Sequence, residues 1–148
     1  MADGTFKQWQ AEPFLEVHCA LGEGPYYEKA TNTLRFVDII NKRLHTVSLS
    51  EGPASLKTVQ LDVPVTVTAD IEGVDPQDKI LLGLKHGIAL FDRKTEKYDY
   101  ITRFFDGDEG ARLRSNDGAV DPNGRFWLGT MTDFGLGDFQ PEGKCENE

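Results

Sequence analysis

Arg114-Ser115-Asn116-Asp117-Gly118-Ala119-Val120-Asp121-Pro122-Asn123-Gly124-Arg125-Phe126-Trp127-Leu128-Gly129-Thr130-Met131 joins a polar cluster, a turn and an aromatic run in eighteen residues. It places a guanidinium, an amide and a carboxylate within four residues and then steps through Ala119-Val120. A turn follows at Asp121-Pro122-Asn123-Gly124, where proline fixes one φ and Asn-Gly supplies positions tolerant of positive φ. The turn opens into Phe126-Trp127-Leu128, an aromatic run with high strand preference. Read locally, the stretch predicts a polar loop followed by a β-hairpin whose second strand is buried.

Working outward, the same order of elements appears 46 residues earlier. A turn at Asp75-Pro76-Gln77-Asp78 precedes Lys79-Ile80-Leu81-Leu82-Gly83-Leu84, and Leu34, Ile80 and Phe126 hold equivalent strand positions. Short strands are predicted at 14–18, 26–27, 33–38, 43–49, 56–61, 79–84, 87–92 and 98–103, with a tight turn at Leu21-Gly22-Glu23-Gly24-Pro25. Roughly four short strands per ~40–50-residue unit is the signature of a propeller blade. No helical period of useful length interrupts it. The expected fold is therefore all-β, a β-propeller represented by an incomplete ring of about two and a half to three blades, since closure takes at least about four. The expected division is a polar segment at 1–13, the propeller portion at 14–134 and an acidic tail at 135–148.

The bulk numbers narrow the partners. The chain has 148 residues, 39% hydrophobic and 28% charged, with a net charge of −9. That balance speaks against a phosphate backbone as ligand, which needs clustered Lys and Arg, and is compatible with cations. No apolar run approaches the ~18 residues of a membrane helix. The start, Met1-Ala2-Asp3-Gly4-Thr5, lacks the basic and apolar regions of a signal peptide, so a cytoplasmic location is expected. Cys19 and Cys145 share no CxxC spacing and read as two free thiols.

Leu21-Gly22-Glu23-Gly24-Pro25, the strand end Val37-Asp38, and above all Arg114-x-Asn116-Asp117-Gly118 with Asp121-Pro122-x-Gly124-Arg125 and Gly129-Thr130-Met131 resemble the SMP-30/gluconolactonase/LRE family. The resemblance implies a six-bladed propeller, a divalent metal at the end of the central channel, Ca2+ foremost with Zn2+ or Mg2+ as alternatives, and hydrolysis of sugar lactones. By position, Glu23 resembles the family's metal carboxylate. Arg114 and Asn116 resemble its substrate-contacting pair, and Asp133 is the nearest match to a further acidic substrate contact. The catalytic base is expected beyond Glu148, so the chain alone is expected to be inactive. The alternative is a non-catalytic cation-binding or interaction module that self-associates through open blade edges.

The residues themselves leave both readings open. Glu23 stands in a glycine-flanked turn, where a carboxylate is either solvated or a ligand. Asn116-Asp117-Gly118 is also ordinary turn chemistry, with Asp117 suited to bracing. Asp106-Gly107-Asp108-Glu109 lacks the spacing of an EF-hand. His18, His45 and His86 show no zinc spacing, and Phe126-Trp127 reads as blade core.

Overall fold

The computed structural model describes residues 8–104, 111–134 and 136. The acidic loop at 106–109, the tail from 137 and Cys145 lie outside the described residues. Ten strands follow one another: β1 (Gly22–Glu28), β2 (Thr33–Asp38), β3 (Arg43–Ser48), β4 (Lys57–Gln60), β5 (Val65–Ala69), β6 (Lys79–Leu84), β7 (Gly87–Asp92), β8 (Lys97–Arg103), β9 (Leu113–Val120) and β10 (Phe126–Thr132). A 3-10 turn at Pro53–Ser55 joins β3 to β4.

Each strand pairs antiparallel with the next, giving the sheets β1-β2-β3-β4, β5-β6-β7-β8 and β9-β10. These are two complete meanders and the first hairpin of a third. The hairpins are made by turn chemistry. Asn32, Lys42 and Glu96 close four-residue turns with φ of 53°, 57° and 56°, the left-handed residue that returns a type I turn to the strand twist. Side-chain carboxylates hold the corners. Asp92 accepts from the Lys94 and Thr95 amides at 3.0 and 2.9 Å. Asp121 accepts from the Asn123 and Arg125 amides at 2.8 and 3.0 Å.

The meanders stack face to face. β5 lies against both β1 and β9, so the first strand of each unit lines a common inner surface, while β2 packs on β5 and β6 on β9. Alternating residues supply the layer between the first two units: Val37 and Leu44 from one side, Val65, Ile80, Leu82 and Phe91 from the other. Each such side chain contributes about 1.5–3 kcal/mol on burial.

A buried ionic cluster ties the same two units together. Arg35 is wholly inaccessible. It meets Glu28 at 2.6 Å, Asp70 at 2.7 Å and Thr68 Oγ1 at 2.7 Å, with its guanidinium 4.0 Å from the centre of the Tyr26 ring. From the second unit, Arg93 and Gln77 each reach Glu28 at 2.7 Å. Glu28 is thus shared by cations of both units.

Four local expectations are corrected. Phe14–His18 forms no strand, because no neighbouring strand pairs with it. Leu21–Pro25 is not a tight turn: β1 already begins at Gly22, and a bulge lies between Glu23 and Tyr26. Arg114–Gly118 is not a loop but part of β9. The strand β10 is not buried core, as Trp127 is 61% exposed and donates its indole N–H to Asp121.

Candidate functional site

The inner surface carries a cavity of about 870 Å³, walled by β1, the β5 end and β9. Its polar lining includes Glu23, Tyr26, Thr68, Asp70, Asn116 and Asp117. Glu23 reaches it through the bulge. Gly24 takes φ 58° there, and a Cβ on it would sit 3.3 Å from the Thr66 carbonyl. Glycine therefore permits both the left-handed backbone and the close approach of β1 to β5. Pro25 removes an amide that the bulge would otherwise have to satisfy. Asn116 arrives from β9, held level with β5 by a 2.8 Å bond between the Ser115 and Thr66 hydroxyls.

Glu23 and Asn116, separated by most of the chain, line the same cavity. Arg114 and Asp133 do not. Arg114 is 2% exposed, and its guanidinium donates to the Ser115 carbonyl at 2.9 Å, to Asn116 Oδ1 at 3.2 Å and to Met131 Sδ at 3.0 Å. It also lies 4.1 Å from the centre of the Phe134 ring. Burial lowers its pKa, while the charges of Asp133 and Glu23 oppose that shift; the group stays cationic regardless. Asp133 is ion-paired to Lys85 of the second unit, and its other oxygen stands 3.9 Å from Arg114 Nε. Asp117 is exposed in the cavity lining and accepts from the Gly118 amide at 2.7 Å.

Sequence reasoning missed Asp70 and Tyr26. Tyr26 donates to Asp70 Oδ2 at 2.7 Å. That bond, then burial and the Asp70 charge, raise the phenol pKa, so the hydroxyl keeps its proton. The signal available was the β-branched run Val65-Thr66-Val67-Thr68 directly after Pro64, which marks a strand ending beside Asp70.

Residues 21–144 match the SMP-30/Gluconolactonase/LRE-like region. The chain belongs to that family. It is 34% identical to the cell growth-regulated gene 1 protein of Candida albicans, over 84% of this chain and 40% of that one. It is 33% identical to 6-deoxy-6-sulfogluconolactonase of Pseudomonas putida, over 75% of this chain and 35% of the enzyme. Among solved structures it resembles regucalcin of Agrobacterium tumefaciens, described as a calcium-binding protein, with a TM-score of 0.66 and 28% identity over 77% of this chain and 36% of that one. The chain thus spans well under half the length of these relatives. As a family member it is a portion of a β-propeller, and the stacked meanders are its blades.

Among the described residues no helix is long and apolar enough to cross a membrane.

Proposed function

We propose that this chain contributes part of the site of a metal-dependent sugar lactone hydrolase, with Glu23 as a metal ligand and Asn116 and Arg114 as substrate-positioning groups. The observation that supports this reading is the meeting of Glu23 and Asn116, from two different blades, in one cavity. Glu23 offers carboxylate oxygens, which suit a hard cation, Ca2+ ahead of Mg2+ and Zn2+. Calcium takes six to eight oxygens, so Glu23 accounts for a minority of the ligands.

When bound, such a cation polarises the lactone carbonyl and favours the charge that develops on its oxygen. The chain's own residues prepare the surface. Arg114 fixes the Asn116 carboxamide by donating to Oδ1, which turns its amide N–H groups toward other acceptors, such as sugar hydroxyls. In this arrangement Arg114 acts on substrate through Asn116. Asp133, paired with Lys85, keeps Arg114 in place and is proposed as a second support of the same kind. The base that activates water is not assigned to any residue here.

Hydrolysis of glucono-1,5-lactone, followed by proton release with and without Ca2+ or Zn2+, tests this reading. The 148-residue chain is expected to hydrolyse at the background rate. Joined to the remaining blades of a relative, it is expected to give a metal-dependent rate that Glu23→Gln lowers by about 100-fold, or 2.7 kcal/mol of barrier. A chimera indifferent to Glu23→Gln, or full activity of the chain alone, contradicts it.

A second reading, a module that associates through its edges, is favoured by the exposure of Val120, Trp127 and Phe134 along the last hairpin. Sedimentation of a compact monomer at high concentration counts against it.

A further inference from the structure

On the face of the first blade turned away from the second, three side chains of different chemistry converge. Cys19 Sγ, a carboxylate oxygen of Asp38 and a ring nitrogen of His45 all lie within 4.8 Å of one another. We propose that Cys19, Asp38 and His45 form a site for a thiophilic divalent cation of the zinc class, separate from the oxygen site proposed in the central cavity.

The geometry is close to what such an ion needs. Zinc bonds of about 2.0–2.3 Å to sulfur, nitrogen and oxygen give a tetrahedron with edges of roughly 3.4–3.8 Å, so the three donors would close by about an ångström. One sulfur, one imidazole nitrogen and one carboxylate is a set that selects zinc over calcium or magnesium.

His45 supplies the independent observation. It is 2% exposed, and its ring stacks on Phe36 with centroids 4.9 Å apart. Nδ1 is engaged with Thr58 Oγ1 at 2.9 Å, whereas Nε2 is buried with no hydrogen-bond partner. A ring anchored through one nitrogen and bare at the other is the arrangement of a metal-ligating histidine, whose second nitrogen is held by an outer partner.

Asp38 is equally fixed. It accepts from the Ala20 and Leu21 amides at 2.9 and 3.2 Å, and from the Asn41 amide and carboxamide at 3.2 and 2.7 Å. These bonds, against the opposing effect of burial, keep it ionised. Its free capacity is small, so it contributes one oxygen at most. Cys19 is the donor open to the surface, lining a groove of about 430 Å³ with Phe14, His18 and Phe36. Binding replaces the Cys19 S–H with an S–metal bond and releases one proton to solvent, leaving the fourth position to water.

Cobalt(II) added to the chelator-treated chain is the probe. One equivalent is expected to produce a thiolate-to-cobalt band in the near ultraviolet with visible ligand-field bands, displaced by Zn2+. Cys19→Ser abolishes the near-ultraviolet band and His45→Gln weakens binding by about tenfold or more. Cys145→Ser leaves both unchanged. No band, or one that survives Cys19→Ser, overturns the site. Should Cys19→Ser fail to fold, the unaltered chain decides. Zn2+ is expected to slow alkylation of Cys19 at least about tenfold and not that of Cys145, and equal slowing, or none, overturns the site.

Discussion

Arg35 shows what single residues carry here. Its positive charge sits between Glu28 and Asp70 with no exposure to solvent, so removing it leaves the buried Glu28 with Arg93 as its cation and takes the ion-pair partner from the half-buried Asp70. Arg35→Met is expected to cost about 3–5 kcal/mol, the loss typical of breaking a buried pair by removing one partner, read as a fall in the urea midpoint. Burial raises the Glu28 pKa, but bonds from Arg35 and Thr33 and the charges of Arg93 and Arg35 outweigh it and leave the pKa lowered. A carboxylate lowered in the folded state stabilises above its unfolded pKa of about 4.3 and loses that contribution as pH falls through its folded value. Urea midpoints should therefore drop below about pH 4, and drop less steeply in Arg35→Met. Glu23 and Asn116 were singled out because each lies in a local motif. Asp70, Cys19 and His45 were not, because what they do depends on residues far away in sequence. His45 shows no zinc spacing, yet folding of the β2-β3 hairpin brings it beside Asp38 and Cys19.

Hairpins were the most legible elements, since alternation and turn chemistry agree along them. β7 alternates buried and half-buried residues throughout, and its reading held. By contrast, β5 was passed over although Val65-Thr66-Val67-Thr68 alternates; both threonines are buried with the valines, so that alternation marks no solvent face. Polarity misled at β9, where Arg114, Ser115 and Asn116 look like loop residues but are held by pairing with β10. Two predictions belong at this scale. A Cβ at Gly87 would lie 2.0 Å from the Thr102 carbonyl oxygen, so Gly87→Ala should destabilise the β7-β8 pairing by about 1–3 kcal/mol, with faster amide exchange at Ala89 and Tyr100. In the last hairpin, the bond from Trp127 and the bonds from Arg125 and Asn123 pull the Asp121 carboxyl down to about 2. Folded Asp121 should thus stay ionised until near pH 2, well below the ~3.9 of an unfolded aspartate. Trp127 fluorescence in a Trp9→Phe background should change near pH 2, and a midpoint near 4 would contradict the closed turn.

At the scale of the molecule, the 46-residue recurrence carried the architecture, because every unit repeats the same hairpins. What the recurrence could not show was which faces meet. The first unit meets the second through the Val37–Ile80–Leu82 layer and the Arg35 cluster, and β5 meets β9 through the Thr66–Ser115 bond. Together these contacts bring a carboxylate from the first blade and an amide from the third to one surface. The most direct measurement is a Ca2+ titration followed by amide nitrogen–proton NMR, in the native chain and in Glu23→Gln. The expected result is one saturable event that shifts Glu23 and Asn116 together, and silence at Asn116 once Glu23 is replaced. A shift at Asn116 that persists unchanged in Glu23→Gln would show that the two residues do not share a site.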